Sequence, residues 1–515
     1  MSVRKALWAI VVACGVAGCQ NPPYVRLPTP IPDATGYSLT SDERALLRKR
    51  LGDGGRPRLA LAMSGGGVRS SLYNFGVLKA LYDDGILAEV DLISSVSGGG
   101  YLAYWLYSAQ AAYPQQAFGA PLFSDTTFIR TLCNFSGRSN FVPNKIAIPT
   151  SILLPVYWDA ARDLYHRRMR RTFGEFDRDP HAPIRLIDLQ GLMRDHGHPY
   201  LVMNATVYGK DDKVDPILSA MFELTPLHFG QLGHQKPWGE NTSQPQTHLV
   251  QAALASGAAI GPLKRSFHDP FGTDVEHVHL WDGGKTENLG ALPVLRRGAD
   301  ALIVIDAQFD SYGEDFSAYS ILQRSAKSVD IQITSRTLDD AVQRTSKRGL
   351  YIADAQYPDR RRSRVVYLKM ERPAEVIDAY RGMPWAAADP RAQDYERWRT
   401  AYRHYDEARG DYRNGSWTCS NPAQPVSIDD LMRFNLGLYL SIVDGDGVWW
   451  RALRYEYPWS KAVGQVFTND FPKKTTVDQS MYLNESLAYI ALGYLTAKGK
   501  VRAALKASEM HGAAL

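Results

Sequence analysis

Cysteine is scarce in this chain, and no single sign of charge dominates it. Four cysteines occur among 515 residues, and none falls at a metal-ligand spacing. The formal net charge of +5 is too small to argue for nucleic acid as a partner. No internal repeat and no low-complexity tract is present. The apolar stretch near the N-terminus, "ALWAIVVACGVAG", is shorter than the ~20 residues that span a bilayer. What remains is ordinary globular composition, 45% hydrophobic and 22% charged, enough for one large domain or two smaller ones.

Arg4 and Lys5 precede that apolar stretch, which suits the core of a secretory signal. It ends in Val16-Ala17-Gly18-Cys19, which resembles the bacterial lipoprotein cleavage and lipidation box. The resemblance implies cleavage before Cys19 and acylation of that cysteine, and two or more acyl chains anchor stably. Gln20, where an Asp would resemble an inner-membrane retention signal, points to the outer membrane of a bacterial envelope. The alternative is an ordinary cleaved signal and a soluble periplasmic protein. Residues 1–18 are thus expected to be the signal, and 19–50 a tether and N-terminal segment. Within the latter, "NPPYVRLPTPIPDATG" is extended because proline removes donors and disfavours helix before it. Export permits Cys133 and Cys419 to pair; two free thiols are the other reading.

From Arg58 short apolar runs alternate with helical stretches. "RLALAM" reads as a strand, and Val68, Leu72, Phe75 and Leu78 continue at helical spacing to a stop at Gly85. "VDLISSVS" is a second strand and "YLAYWLYSA" a buried helix. "PYLVMNATVYG", "HVHLWDGG" and "ADALIVIDA" are further strands. This alternation predicts an α/β fold, a mainly parallel central sheet covered by helices on both faces. A catalytic domain is expected over 51–370, with an aromatic- and Arg-rich insertion at about 108–198. Residues 371–515 form a polar and helical C-terminal extension, closing on one long helical pattern, "MYLNESLAYIALGYLTAKGKVRAALKA".

Two glycine clusters carry the chemistry. In "LISSVSGGGYLAYW", Ser97 follows a strand directly and precedes three glycines and a helix. A strand-to-helix turn of this kind exposes a nucleophilic hydroxyl at the strand's carboxyl end, and it needs small neighbours to turn sharply. The usual G-x-S-x-G is altered here: Ser95 takes the first glycine's place and Gly99 keeps the last. An isolated S-x-S-G-G is a plain turn; its place between strand and helix reverses that reading. In "LAMSGGGVRSS", Gly65, Gly66 and Gly67 end the preceding strand, side by side with Ser97 in an open parallel sheet. They are candidate donors to the oxyanion that forms when a serine attacks an ester. A nucleotide-phosphate loop fares poorly, because G-x-G-x-x-G is broken at Ser70 and G-x-x-x-x-G-K-[ST] is absent.

A serine needs a base. After "WDGG" the remaining histidines are His404 and His511, neither following a strand, so a Ser–Asp–His order is poorly supported. Asp282, closing "HVHLW" and followed by Gly283 and Gly284, is the candidate base of a Ser–Asp dyad. A free aspartate titrates near 3.9, so it is a weak base unless desolvated or helped by the site's field.

"SGGGVR", "SVSGG" and "DGGKTENLG" together resemble the patatin-like phospholipases and their relatives, the cytosolic phospholipase A enzymes. "FELTPLHFG" (Phe222 to Gly230) is similar to a segment of the cytosolic branch and "LVMNATVYG" to a patatin-like strand. The resemblance runs from about Arg58 to Asp310. It implies hydrolysis of lipid acyl esters with no cofactor and no metal at the active site. It makes Ser97 the nucleophile, Asp282 the base, Gly65–Gly67 the oxyanion loop and Arg69 a partner for the substrate phosphate. A phospholipid or lysophospholipid substrate is expected. A small-ester carboxylesterase, or a non-catalytic lipid-binding or scaffolding lipoprotein, is the alternative.

Outside the resemblance, "ILLPVYWDAARDLYHRRMRR" gathers Arg162, Arg167, Arg168, Arg170 and Arg171. It is either a solvated basic helix face or a segment meeting anionic headgroups. "DGDG" at Asp444–Gly447 is a turn, since Tyr455 stands where a calcium loop needs Glu.

Overall fold

The computed structural model describes most of residues 37–132, 158–207, 221–238, 247–258, 265–268, 277–308, 316–338, 348–373, 427–436 and 483–512. The residues expected to form a signal and a proline-rich tether, with Cys19, Cys133, Cys419, His404 and Asp444–Gly447, lie outside them. Five strands make the centre: β1 Leu59–Met63, β2 Leu92–Val96, β3 Tyr200–Val207, β9 Ala301–Asp306 and β12 Arg362–Lys369. They pair in the order β12-β9-β1-β2-β3, all parallel. β1, β2 and β3 are buried along their whole length, which is why they read as near-continuous apolar runs rather than alternating ones.

Both wings are antiparallel. β4 Met221–Leu224, β5 His228–Gln231 and β6 His234–Pro237 extend the sheet beyond β3. β10 Gln332–Thr334 and β11 Leu350–Gln356 extend it beyond β12. β7 Arg265–His268 pairs with β8 His277–Asp282, which joins β3. The mixed sheet is flanked by helices, the three-layer α/β/α arrangement expected from the sequence.

Two helices leave the carboxyl ends of β1 and β2: α1 Gly67–Asp83 and α2 Gly98–Ala112. Both are buried nearly all round, as helices covered on two sides must be. The outer cover of α1 comes from the C-terminal extension. There the expected single helix is two, α6 Leu483–Ala497 and α7 Lys500–Gly512, parted at Gly499, whose φ is 71°. α6 lies directly on α1: a Cβ at Gly76 would collide with the Ile490 carbonyl, and one at Gly493 with the Tyr73 carbonyl. Tyr494 Oη donates to Asp83 at 3.1 Å and Lys498 pairs with Asp84 at 2.8 Å. α6 is therefore part of the core's packing.

The N-terminal segment is also more than a tether. Its short helix Ser41–Leu46 is closed by a Thr40–Glu43 capping box and sends Glu43 into a buried ion cluster. Arg297 bonds Glu43 and Glu223, each at 2.8 Å. Arg296 reaches Glu223 at 3.2 Å, and Gln235 donates to it at 2.8 Å. Burial alone would raise the Glu223 carboxyl, but the Arg297 and Arg296 guanidiniums outweigh it and hold it at about 2. The cluster ties β4, the Ser41–Leu46 helix and the turn before β9 together.

Candidate active site

β2 and β8 meet head to head on one edge of β3. β2 runs parallel to β3 with Val96 opposite Asn204, and β8 arrives antiparallel with Asp282 opposite Ala205. The residue that follows β2 and the residue that ends β8 are thus forced together. Ser97 Oγ donates to Asp282 Oδ2 at 2.7 Å. Sequence order placed both residues at strand ends; the opposed directions of the two strands bring them into contact.

Ser97 adopts φ 49° and ψ −114°, a conformation side chains rarely tolerate, which holds only where the surroundings over-determine it. The glycines explain how the turn closes. A Cβ at Gly98 would strike the Gly67 carbonyl, and one at Gly99 the Met63 carbonyl. Gly99 N–H donates to Ser64 O at 3.1 Å. Ser95, in place of the usual first glycine, is buried in β2, and its Oγ has no partner among the described residues.

Asp282 is 8% exposed and Ser97 5%. Burial pushes the Asp282 carboxyl up to about 6; the Ser97 hydroxyl, the Gly284 N–H and Lys285 oppose the rise. The Gly284 N–H donates to Asp282 Oδ1 at 2.8 Å, and Gly283 is buried beside the Asn204 carbonyl. Glu287, in the same motif, is buried with its carboxyl raised to about 7. It accepts the N–H groups of Leu289, Ala291 and Leu292 at 2.6, 2.7 and 3.2 Å, so it fixes the chain after the turn.

Two long-range bonds hold the glycine loop. Gly65 N–H is bonded to the Asn288 carbonyl at 2.9 Å, so Gly65 is not a free donor. The Gly66 and Gly67 N–H groups have no acceptor among the described residues and stand at the N-terminus of α1. Arg69 is 1% exposed and donates to the Ala307 carbonyl at 3.0 Å. Its guanidinium ties the loop to the end of β9.

Several contributors were not visible in advance. Asn204 donates to Ser94 Oγ and the Ser95 carbonyl at 2.8 and 3.0 Å, and Thr206 to the Asp282 carbonyl at 2.9 Å. Both lie in "LVMNATVYG", the segment whose resemblance was the available signal. Tyr101, one helical turn after Ser97, meets the hydroxyl of Tyr165. Tyr165 is on α3 Trp158–Phe173, the arginine-rich helix. There Tyr165, Met169 and Phe173 are buried while Arg167 and Arg171 are exposed.

Residues 61–177 match the family model described as patatin-like phospholipase. That stretch thus resembles the patatin-like phospholipases. A probable lysophospholipase 3 of Schizosaccharomyces pombe is 25% identical to it over 206 residues, 35% of this chain and 29% of that protein. Human GIVD cytosolic phospholipase A2 superposes with a TM-score of 0.53 at 13% identity, covering 93% of this chain and 66% of that one. The same enzyme with methyl gamma-linolenyl fluorophosphonate and terbium chloride gives 0.52, over 94% and 66%. The chain thus spans under a third of the curated relative and just under two thirds of the solved structures. The family match covers β1 beyond its first two residues, the glycine loop, the Ser97 elbow and α3; Asp282 lies beyond it.

Proposed function

We propose that this patatin-like protein is a lipid acyl hydrolase working through Ser97 and Asp282. The observation that carries the reading is the 2.7 Å hydrogen bond from Ser97 Oγ to Asp282 Oδ2 at a strained strand-to-helix turn. Asp282 takes the serine proton as Oγ bonds to the acyl carbonyl carbon. The oxyanion forms beside the Gly66 and Gly67 N–H groups at the positive end of α1. Asp282 then returns the proton to the departing alkoxide. Water repeats the sequence on the acyl-enzyme: its proton goes to Asp282, its oxygen to the carbonyl carbon, and Ser97 leaves reprotonated. A carboxyl raised to about 6 is a far better base than a free aspartate and is still ionised at neutral pH.

Phospholipid or lysophospholipid is the substrate class, matching what the relatives are named for. Acylation of Cys19 would hold the enzyme on the outer membrane, and the arginines of α3 would meet its anionic headgroups. Burial and the neighbouring Arg171 and Arg167 lower the Arg168 guanidinium, which marks a local concentration of positive charge. Changing Arg167, Arg168 and Arg171 together to Gln is expected to weaken co-sedimentation with phosphatidylglycerol vesicles by about 10²-fold, at ~1 kcal/mol per basic residue. Unchanged binding removes the lipid-facing role.

The test of the activity is fatty-acid release from mixed phospholipid vesicles by the wild-type chain and Ser97→Ala. Wild type should release fatty acid, and the folded variant should not. Turnover should rise with pH through about 6, as Asp282 ionises, and then level off. Turnover preserved in Ser97→Ala overturns the nucleophile assignment. Silence of the wild type on vesicles and on small esters alike overturns the enzyme reading.

A further inference from the structure

The residues Ser256, Gly257 and Ala258, at and just beyond the end of α4 Leu249–Ser256, touch both halves of the dyad. Ser256 Oγ accepts the backbone N–H of Ser97 at 2.8 Å and donates to the Asn204 carbonyl at 2.6 Å. The Gly257 carbonyl accepts the Tyr165 hydroxyl at 3.2 Å. Tyr165 in turn meets the Tyr101 hydroxyl. The Ala258 carbonyl accepts the backbone N–H of Asp282 at 3.1 Å. Nucleophile, neighbouring phenols and base all hang on three consecutive residues.

This matters because the Ser97 backbone is held at a positive φ, a state that costs about 1–3 kcal/mol and relaxes when its supports go. The helix that follows Ser97 offers its N–H no acceptor, since the first N–H groups of any helix are unpaired within it. Ser256 supplies that acceptor from another element. Its hydroxyl is wholly buried and bridges the start of α2 to β3, the strand on which Asp282 is registered. One oxygen atom therefore links the position of the elbow to the position of the base.

We infer that Ser256 is a positioning residue for the reaction: it pins the Ser97 backbone so that Oγ stays aimed at Asp282. The inference rests on the Ser97–Asp282 reading above. Ser256 acts through the elbow and touches no reacting atom, so its loss lowers kcat and leaves KM and the acid limb in place. A displacement of about 1 Å at such a site is enough for a 10²-fold loss.

The test uses the full chain with monomeric dihexanoyl phosphatidylcholine, comparing wild type, Ser256→Ala and Ser256→Thr. Ser256→Ala should lose about 10- to 100-fold in kcat, with KM within about twofold and the acid limb still near Asp282's value of about 6. Ser256→Thr, which keeps the oxygen, should recover most of the rate. Should Ser256→Ala not fold, Thr against Val, equal in shape, decides: Thr active and Val impaired supports the inference, and equal rates overturn it. Wild-type kcat in a folded Ser256→Ala overturns the inference alone, as does a Thr variant impaired like Ala. A wild type without turnover removes the reading of the site, and this inference with it.

Discussion

Asp282→Asn is expected to lose about 10²- to 10⁴-fold in acyl-ester turnover and yet to melt higher than the wild type at neutral pH. The two effects share one cause. Burial raises the Asp282 carboxyl from 3.8 to about 6, so the folded chain prefers it protonated. Linkage then fixes the sign: with the folded value above the unfolded one, stability falls as pH climbs from 3.8 towards 6. Above that range the deficit is complete. At ~1.4 kcal/mol per pH unit, the ionised carboxylate costs the fold about 3 kcal/mol at neutral pH. Asparagine removes that charge while its carbonyl can still accept the Gly284 N–H and its amide NH2 can donate to Ser97 Oγ. Calorimetric melts of the two chains near neutral pH and near pH 4 check this. The gain should be large in the first and mostly gone in the second. A variant that melts lower near neutral pH contradicts the account of a base held at the expense of stability.

Glu223→Ala should act in the opposite direction and with the largest effect on stability, a loss of about 3–5 kcal/mol. It strands Arg296 and Arg297, both buried, with Glu43 as the remaining carboxylate of the cluster described above. Denaturant unfolding measures the loss, and a change under ~1 kcal/mol would show that the cluster is not worth its geometry. The pH dependence is again signed. Glu223 is held at about 2, below its ordinary 4.5, so its contribution is whole above 4.5 and fades as pH falls through about 2. Acid should therefore weaken the wild type more than Glu223→Ala over that window.

What could be read in the sequence followed from local rules. β1, β2 and the helices after them were legible because apolar runs break abruptly into glycine, a pattern with few backbone solutions. Ser97 and Asp282 were legible because each ends a strand. The bonds of the Gly65 N–H and the Arg69 guanidinium could not be read because their partners, Asn288 and Ala307, are more than two hundred residues away in the chain, and no local pattern announces such a bond. The antiparallel wings were missed for a related reason: β4 and β5, four residues each, are too short for a period to show. Ser256 carried no signal at all. It is a serine at the end of an alanine-rich helix, and only the fold makes it an acceptor for the elbow.

The seating of α6 against α1 has a consequence in time. The glycine loop opens α1, and α1 takes its final place only with α6 laid along its other side, backbone to backbone. Partners such as Asp83 and Tyr494 stand 411 positions apart. Contacts closed over such a span form late, after the entropy of the intervening chain has been overcome. Any nascent chain therefore carries Ser97 long before it can hold the glycine loop in its final place. With membrane lipid as the proposed substrate, that delay is a safeguard written into chain order.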